Sequence, residues 1–443
     1  MQNIVLMIAN VIFYSWWDWR FLALIFFSAG MNYYCAKKIH LESNERDKVL
    51  WLRINLFLNL SLLGVFKYFN FFIANVNDSL TLLGFNVHLQ TLNIILPLGI
   101  SFYTLQAISY VVDVYVEKMD PIDSCFDFIL YLSFFPFLTA GPIVRAIDFF
   151  PQLKQQRTAT SEDYHAGLWL IFWGLFQKVV IADNCAVIVD NVFRPNALVG
   201  GGDVLLGVFF FTFQIYADFA GYSDMAIGIA RIFGFQIKWN FNLPYLAENP
   251  KDFWDRWHIS LTSWLRDYVF SPLLYSSMLS SKHRKHIKLR VYSSIGVTFL
   301  ISGLWHGANW TFILWGIFHG SFLILHDYLK IKIPLFKPIK ILSMFILINI
   351  SWLFFRANSF SQIKSMLLSV GSGFSVNLEH RGMWEIAIYI FILMSLQCIQ
   401  KKKNDLLFIQ NYKIYRYYIY LILLLFIFIS GKFVSRQFIY TAF

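Results

Sequence analysis

The stretch "LISGLWHGANWTFILWGIFHG", residues 300–320, decides the fold. It is built from Leu, Ile, Phe, Trp and small residues, with no Asp, Glu, Lys or Arg anywhere in it. A helix needs about 20 such residues to cross about 30 Å of hydrocarbon. Gly307 and Asn309 favour a turn, so the stretch reads as the end of one membrane span and the start of the next. It also carries two histidines, His306 and His319, whose presence in an apolar run asks for a chemical or a packing reason.

The rest of the chain repeats the pattern. Over 443 residues, 58% are hydrophobic, 19% aromatic and only 14% charged, against about 25% charged in an ordinary soluble domain. No stretch is long and polar enough for an independent soluble domain, so the expectation is an all-α, polytopic integral membrane bundle over 1–443. Hydropathy places spans near 2–17, 19–36, 50–75, 164–191, 204–232, 291–308, 309–329, 338–356, 383–399 and 417–435. Two further apolar segments, 91–112 and 125–150, are broken by Pro97 and Gly99 and by Pro136, Gly141 and Pro142, which predicts bent or re-entrant helices.

The 37 Lys and Arg outnumber the 26 Asp and Glu. These cations gather in short loops between apolar runs: Lys37, Lys38, Arg46 and Lys48; Lys282, Arg284, Lys285, Lys288 and Arg290; Lys330, Lys332, Lys337 and Lys340; and Lys401, Lys402 and Lys403. That placement reads as cytoplasmic anchoring and not as nucleic-acid binding. The linker 76–90, with Asp78 as its only charged residue, is expected to face outward. Cys35, Cys125, Cys185 and Cys398 have no paired spacing, so neither a disulfide framework nor a zinc site is predicted. The N-terminal run lacks a basic region and a small-residue cleavage site, which argues against a cleaved signal peptide.

The region 233–272 is too charged to span lipid and too rich in Trp, Phe and Leu for a solvated loop, so it is expected at the interface or dipping inward. Asn249 and Pro250 predict a helix start and Pro272 a stop. On that helix Phe253, Trp257, Leu261, Trp264 and Tyr268 share a face, Asp252 and Arg256 form an i,i+4 pair, and His258 is carried toward the apolar side. Gly200, Gly201 and Gly202 read as a flexible turn.

Polar residues inside apolar runs are costly, at roughly 2.5–3.5 kcal/mol for a charge at the bilayer centre, so they face a bundle interior or a wet path. Asp218, Tyr222, Asp224 and Arg231 form one such set. Asp224 and Arg231 are on one face and would share a pocket if Arg231 reaches back from the membrane edge. Such a set either locks helices together or lines a path. At His306, the small residues Gly303, Gly307 and Ala308 would leave room for a ligand, walled by Trp305 and Trp310. A neutral imidazole there can take a proton from a hydroxyl or thiol and return it to a leaving group. His319 and His326 share a face and read as packing or loop-edge residues; His283 and His286 lie in a basic loop. None of these has metal-ligand spacing beside an internal carboxylate, so no metal is expected. Composition and spacing leave enzyme and transporter both open.

Four stretches go further: "LPLGISFYTLQAISYVVDVY" (96–115), "FFPFLTAGPIVR" (134–145), "FQIYADFAGYSDMAIGIARIFGF" (213–235) with "FNLPYLAENPKDFWDRWHISLTSWLRDYVFSPL" (241–273), and "GLWHGANWTFILWGIFHG" (303–320). In order, over 95–320, they resemble the membrane-bound O-acyltransferases, most of all the polysaccharide O-acetyltransferase branch. The resemblance implies a helical bundle with re-entrant or interfacial helices and a funnel on each side meeting at His306. It implies that His306 is the catalytic histidine and His258 the second histidine of the reaction tunnel, with Trp305, Asn309, Trp310, Asp218, Tyr222, Asp224 and Arg256 as tunnel candidates. It further implies a multi-pass protein of the inner membrane that uses acetyl-CoA or another acyl thioester as donor substrate, with no permanently bound cofactor. The expected partners are an extracytoplasmic acyltransferase, a polysaccharide acceptor and membrane lipids, with no nucleic acid.

Two departures from the family pattern stand out. The chain begins with a sequence resembling the second and third hydrophobic segments of relatives, so an initial segment is expected to be missing. After "VFSPL" a Gly-rich basic stretch is replaced by "LYSSMLSSKHRKHIKLR". D-alanyl transfer onto teichoic acid is the alternative within the family, and a proton-coupled transporter or flippase the alternative outside it.

Overall fold

The computed structural model describes residues 1–85, 87–275, 287–329, 336–379, 382–433 and 438–439. Lys282, His283, Arg284, Lys285, His286, Lys330 and Lys332 lie outside the described residues. Every regular element among the described residues is helical. Seven helices are long and apolar enough to cross a membrane: Glu45–Leu82, Ser161–Phe193, Gly201–Ile232, Ile287–His306, Trp310–Leu329, Lys337–Arg356 and Met383–Lys403. Their outward side chains are apolar; Phe57 and Phe391 are 70% and 71% exposed, which in water would be an aggregation liability and in a bilayer is contact with lipid. The chain packs as two compact units, Met1–Thr158 and Ala159–Phe443.

In the first unit, helices Gln2–Asp18, Leu22–Leu41 and Glu45–Leu82 precede the broken segment. Buried asparagines join the second of these to the third: Asn55 and Asn59 both donate to Asn32 Oδ1 at 2.9 Å, while Asn32 Nδ2 donates to the Ser28 carbonyl at 2.7 Å. Without water, each buried amide must find such a partner, and the requirement fixes the helices' register. Glu45–Leu82 runs further than hydropathy suggests, so the first part of the expected outward linker is helical. The breaks at proline and glycine fall where expected. Ile100–Tyr115 starts after Gly99, whose φ of +74° lies in the left-handed region, and the segment 125–154 divides into Cys125–Leu132, Phe135–Leu138 and Ala146–Lys154.

The second unit is organised around Gly201–Ile232, of whose most apolar stretch 78% is buried, against 17% for Glu45–Leu82. It packs along Ser161–Phe193 through a glycine seam. A Cβ on Gly174 would stand 2.3 Å from the Gly221 carbonyl oxygen, one on Gly221 2.6 Å from the Gly174 carbonyl oxygen, and Gly167 and Gly228 repeat the arrangement. Small residues at this spacing let two backbones touch, the main source of helix affinity where lipid removes the hydrophobic drive. Asp163 closes a capping box with Thr160 at the start of one helix, and Asp203 accepts from the Gly200 N–H at the start of the other. Gly200, Gly201 and Gly202 are not a loose turn. A Cβ on each would meet backbone oxygens of Gly373 or Ser375 within 2.8 Å, so glycine is needed there for close packing.

Gly221→Val should therefore lower the detergent-solubilised unfolding midpoint by the equivalent of about 1–3 kcal/mol of overpacking. Gly296→Ala, where no atom lies within 4 Å of the added Cβ, should leave the midpoint unchanged.

Candidate active site

The segment expected as one helix from Asn249 to Pro272 is broken. Asn249 caps Pro250–Trp254 by accepting from the Asp252 N–H at 2.9 Å, and the chain then turns before Ile259–Leu265 begins. A π-helical turn, Arg266–Phe270, follows, and Ser271–Tyr275 carries the helix past Pro272 instead of ending there. The aromatic face survives the break: Phe253, Trp257, Leu261 and Trp264 are all buried. Asp252 and Arg256 form the predicted ion pair, at 2.6 Å, and Arg256 also donates to the Asn242 carbonyl at 3.2 Å.

His258 stands at the break. Its φ of +43° lies in the left-handed region, a cost of about 1–3 kcal/mol for a residue with a Cβ. The segment 240–242 holds it there. The Asn242 N–H donates to the Arg256 carbonyl and the Ile259 N–H to the Asn240 carbonyl, both at 2.9 Å, so the backbone is pinned on each side of His258. Its ring is 1% exposed, edge-on to Phe219 at 4.5 Å and 6.0 Å from Trp305. Burial pushes the His258 imidazole down to about 3, so the ring is neutral at physiological pH.

His306 is the last residue of Ile287–His306, where the Gly307 and Asn309 turn signal places it. It is 4% exposed, with Trp305 at 5.1 Å, Trp315 at 5.0 Å and Phe355 at 5.3 Å. Trp305 is thus the common wall of both histidines. The sequence suggests that Gly303, Gly307 and Ala308 leave room for a ligand beside His306, but the space at the two glycines is filled by Phe312. A Cβ on Gly303 would stand 2.4 Å from the Phe312 carbonyl oxygen, and one on Gly307 2.2 Å from the Phe312 ring. They let Ile287–His306 and Trp310–Leu329 close into a tight hairpin. Trp310 is half exposed, and Asn309 caps the next helix by accepting from the Thr311 N–H while its Nδ2 donates to the Asn358 carbonyl.

His319 also packs on Trp315, at 4.8 Å, and Trp254 meets it edge-on at 5.0 Å. A cavity of roughly 470 Å³ opens beyond this layer, lined by Trp254, Phe299, Thr298 and Ser302, with Lys251 and Arg266 among its cationic groups.

The remaining candidates bond elsewhere. Asp218 takes Lys178 at 2.7 Å and the Ile439 N–H at 2.8 Å; Asp224 accepts from Gln177 at 2.8 Å. Arg231 does not reach Asp224. It pairs with Asp163 at 3.0 Å, the nearer carboxylate at that helix end. Tyr222 packs its ring 5.2 Å from Phe438. Sequence reasoning missed Asn240, Ser223 and Ser260, since their signal is a contact made only after the 240–260 loop folds. Asn240 Nδ2 donates to Ser223 Oγ at 3.0 Å, and Asn240 Oδ1 lies 3.2 Å from His258 Nδ1. Among the described residues, no three His, Cys, Asp or Glu side chains converge as metal ligands would.

Comparison with known proteins agrees with the quoted motifs. The chain is 37% identical over 406 residues to the peptidoglycan O-acetyltransferase of Helicobacter pylori, covering 85% of this chain and 75% of that protein. It is 37% identical over 361 residues to the probable alginate O-acetylase AlgI of Azotobacter vinelandii, covering 81% and 70%. To the teichoic acid D-alanyltransferase of Bacillus subtilis it is 33% identical over 251 residues, covering 54% and 60%. Residues 122–372 match the membrane-bound O-acyltransferase family, and the chain belongs to that family as a multi-pass membrane protein.

Proposed function

We propose that this protein, in the cytoplasmic membrane, takes an acetyl group from a cytoplasmic thioester, acetyl-CoA, and passes it toward a hydroxyl of an extracytoplasmic glycan, with His306 as general base. The arrangement that carries this reading is a pair of buried histidines, His258 and His306, both packed against Trp305, at 6.0 and 5.1 Å between ring centroids. His306 removes the proton from the acceptor hydroxyl, and the oxygen attacks the thioester carbonyl. The tetrahedral adduct collapses with C–S cleavage, and the imidazolium returns its proton to the departing thiolate, leaving an ester and a free thiol. His258 orients donor or acceptor. The first acceptor is an extracytoplasmic acyltransferase partner or the glycan itself.

Acetyl is favoured over D-alanyl because the two O-acetylating relatives cover 81% and 85% of the chain, whereas the D-alanyltransferase covers 54%. The 470 Å³ cavity supports a donor site. Its size falls in the roughly 300–1,000 Å³ range of small-molecule pockets. Lys251 and Arg266 are the cations on its wall that would meet the phosphates of a coenzyme A thioester, beside two carboxylates, Asp255 and Asp327, while His258 and His306 lie outside the lining.

In a deletion strain, wild-type protein should restore base-releasable acetate on cell-surface polymers. His306→Ala at matched membrane levels should restore little or none, since a general base contributes about 10²–10⁴-fold. Restoration of D-alanine instead of acetate would overturn the acetyl reading, and full acetate with His306→Ala would remove His306 from the chemistry. Thr298→Trp, which fills the cavity, should raise the KM for acetyl-CoA at least about tenfold, equivalent to about 1.4 kcal/mol. An unchanged KM would mean that the donor binds elsewhere.

A further inference from the structure

Asn240 holds the turn at His258 and Ile259 with both its backbone and its side chain. Its carbonyl accepts from the Ile259 N–H at 2.9 Å, and its side-chain oxygen lies 3.2 Å from His258 Nδ1. The same Oδ1 accepts from the Ser260 backbone N–H at 3.3 Å and the Ser260 hydroxyl at 2.8 Å. A backbone N–H can only donate, so the atom facing Ser260 and His258 is the amide oxygen, and Nδ2 is the atom directed at Ser223 Oγ. An amide oxygen can only accept. In a neutral imidazole beside it, Nδ1 must therefore carry the proton, and Nε2 the basic lone pair.

We infer that Asn240 is a positioning residue for acyl transfer: it selects the Nδ1–H tautomer of His258 and fixes the ring so that Nε2 is its acceptor nitrogen. The inference rests on the reading of His258 as a lining residue of the reaction path and deepens it. A neutral imidazole can exist with either nitrogen protonated, and the other tautomer would present an N–H at Nε2 in place of a lone pair. The rings packed on His258 from other elements, Phe219, Phe241 and Trp305, carry no charge and cannot make that choice by ion pairing. Asn240 makes it by hydrogen bonding, and Ser223 and Ser260 hold Asn240 from two sides so that its amide cannot rotate.

The test combines a spectroscopic and a chemical readout. Full-length protein labelled with ¹⁵N-histidine, in detergent at pH 8, is examined by NMR, with the His258 signals assigned by their loss in His258→Gln. The expected wild-type spectrum has a protonated Nδ1 and a pyridine-like Nε2; the opposite tautomer overturns the inference outright, whatever the function of the protein. Asn240→Ala should change the tautomer population and lower surface acetate per folded molecule about 10–100-fold, the range typical when a residue orienting a functional histidine is lost. Asn240→Asp keeps an acceptor oxygen at Nδ1 and should hold the tautomer and stay within about threefold of wild type on that range. If Asn240→Ala lowers acetate with the tautomer unchanged, or keeps full acetate while His258→Gln abolishes it, Asn240 is merely structural. If His258→Gln itself leaves acetate unchanged, the fault lies in the reading of His258, and the wild-type tautomer still judges Asn240.

Discussion

The contact on which the site depends is the backbone touch between Ile287–His306 and Trp310–Leu329. A Cβ on Gly316 would stand 2.3 Å from the Phe299 carbonyl oxygen and one on Gly303 2.4 Å from that of Phe312, so only residues without side chains allow this approach. The hairpin's tightness brings Trp315 back onto His306 and sets His306 against Phe355 of the following helix. A wider hairpin would leave the imidazole at a lipid-facing helix end, where neither its orientation nor its dryness would be controlled. Van der Waals packing, not hydrophobic expulsion, does the positioning, as expected where lipid surrounds the bundle.

The second histidine reaches the same aromatic wall by an opposite route. His306 ends a regular helix, whereas His258 occupies a strained backbone position between two short ones. That conformation is stable because 240–242 binds the chain before and after it, and because Trp257 is driven into the core beside Phe253, Tyr245 and Trp352. Local strain held in place by its surroundings is what pre-organisation looks like in a backbone, and it suits the lining role proposed for His258. The break also explains how a segment rich in charge enters an apolar unit. Exposed Asp255 and half-buried Arg256 sit in the turn, with Asp252 paired to Arg256 from the preceding helix, while Phe253 and Trp257 are buried.

Much of this was legible in the sequence, because hydropathy and turn chemistry are local. Seven of the ten expected spans, the interruption at Pro97 and Gly99, the helix end at His306 and the buried face of Phe253, Trp257 and Leu261 follow from spacing alone. The segments near 2–17, 19–36 and 417–435 contain helices that are not among the seven long, apolar ones. What was not legible depends on partners distant in the chain. Nothing in "DRWHIS" signals a break, since it lacks Gly and Pro; the turn exists because Asn240 and Asn242 clamp it. Gly303 and Gly307 beside a histidine suggest open space, but the sequence does not say that the Phe312 ring and carbonyl fill it. Asp224 and Arg231 share a face, yet Asp163 and Gln177, on another helix, take them instead. Small residues and polar residues in membrane helices announce that something approaches closely, without saying what.

The polar groups of this unit survive among apolar helices in two ways, as paired ions and as neutral rings. Lys178 lies between Asp183 at 2.8 Å and Asp218 at 2.7 Å, and Arg231 meets Asp163 at 3.0 Å; these ions join Ser161–Phe193 to Gly201–Ile232 alongside the glycine seam. A charge in such a place persists only if paired, because removing one partner leaves an uncompensated ion. Pairing engages the lone pairs a proton acceptor would need, so the salt-bridged carboxylates favour locking helices over moving protons. A neutral imidazole escapes that bargain. It needs no counter-ion, tolerates a wall of tryptophan and phenylalanine, and retains one basic nitrogen in either tautomer. Where a bundle must hold a base away from water, histidine is the residue that physics leaves, and its remaining freedom, the choice of tautomer, is settled by whichever neighbour can only accept.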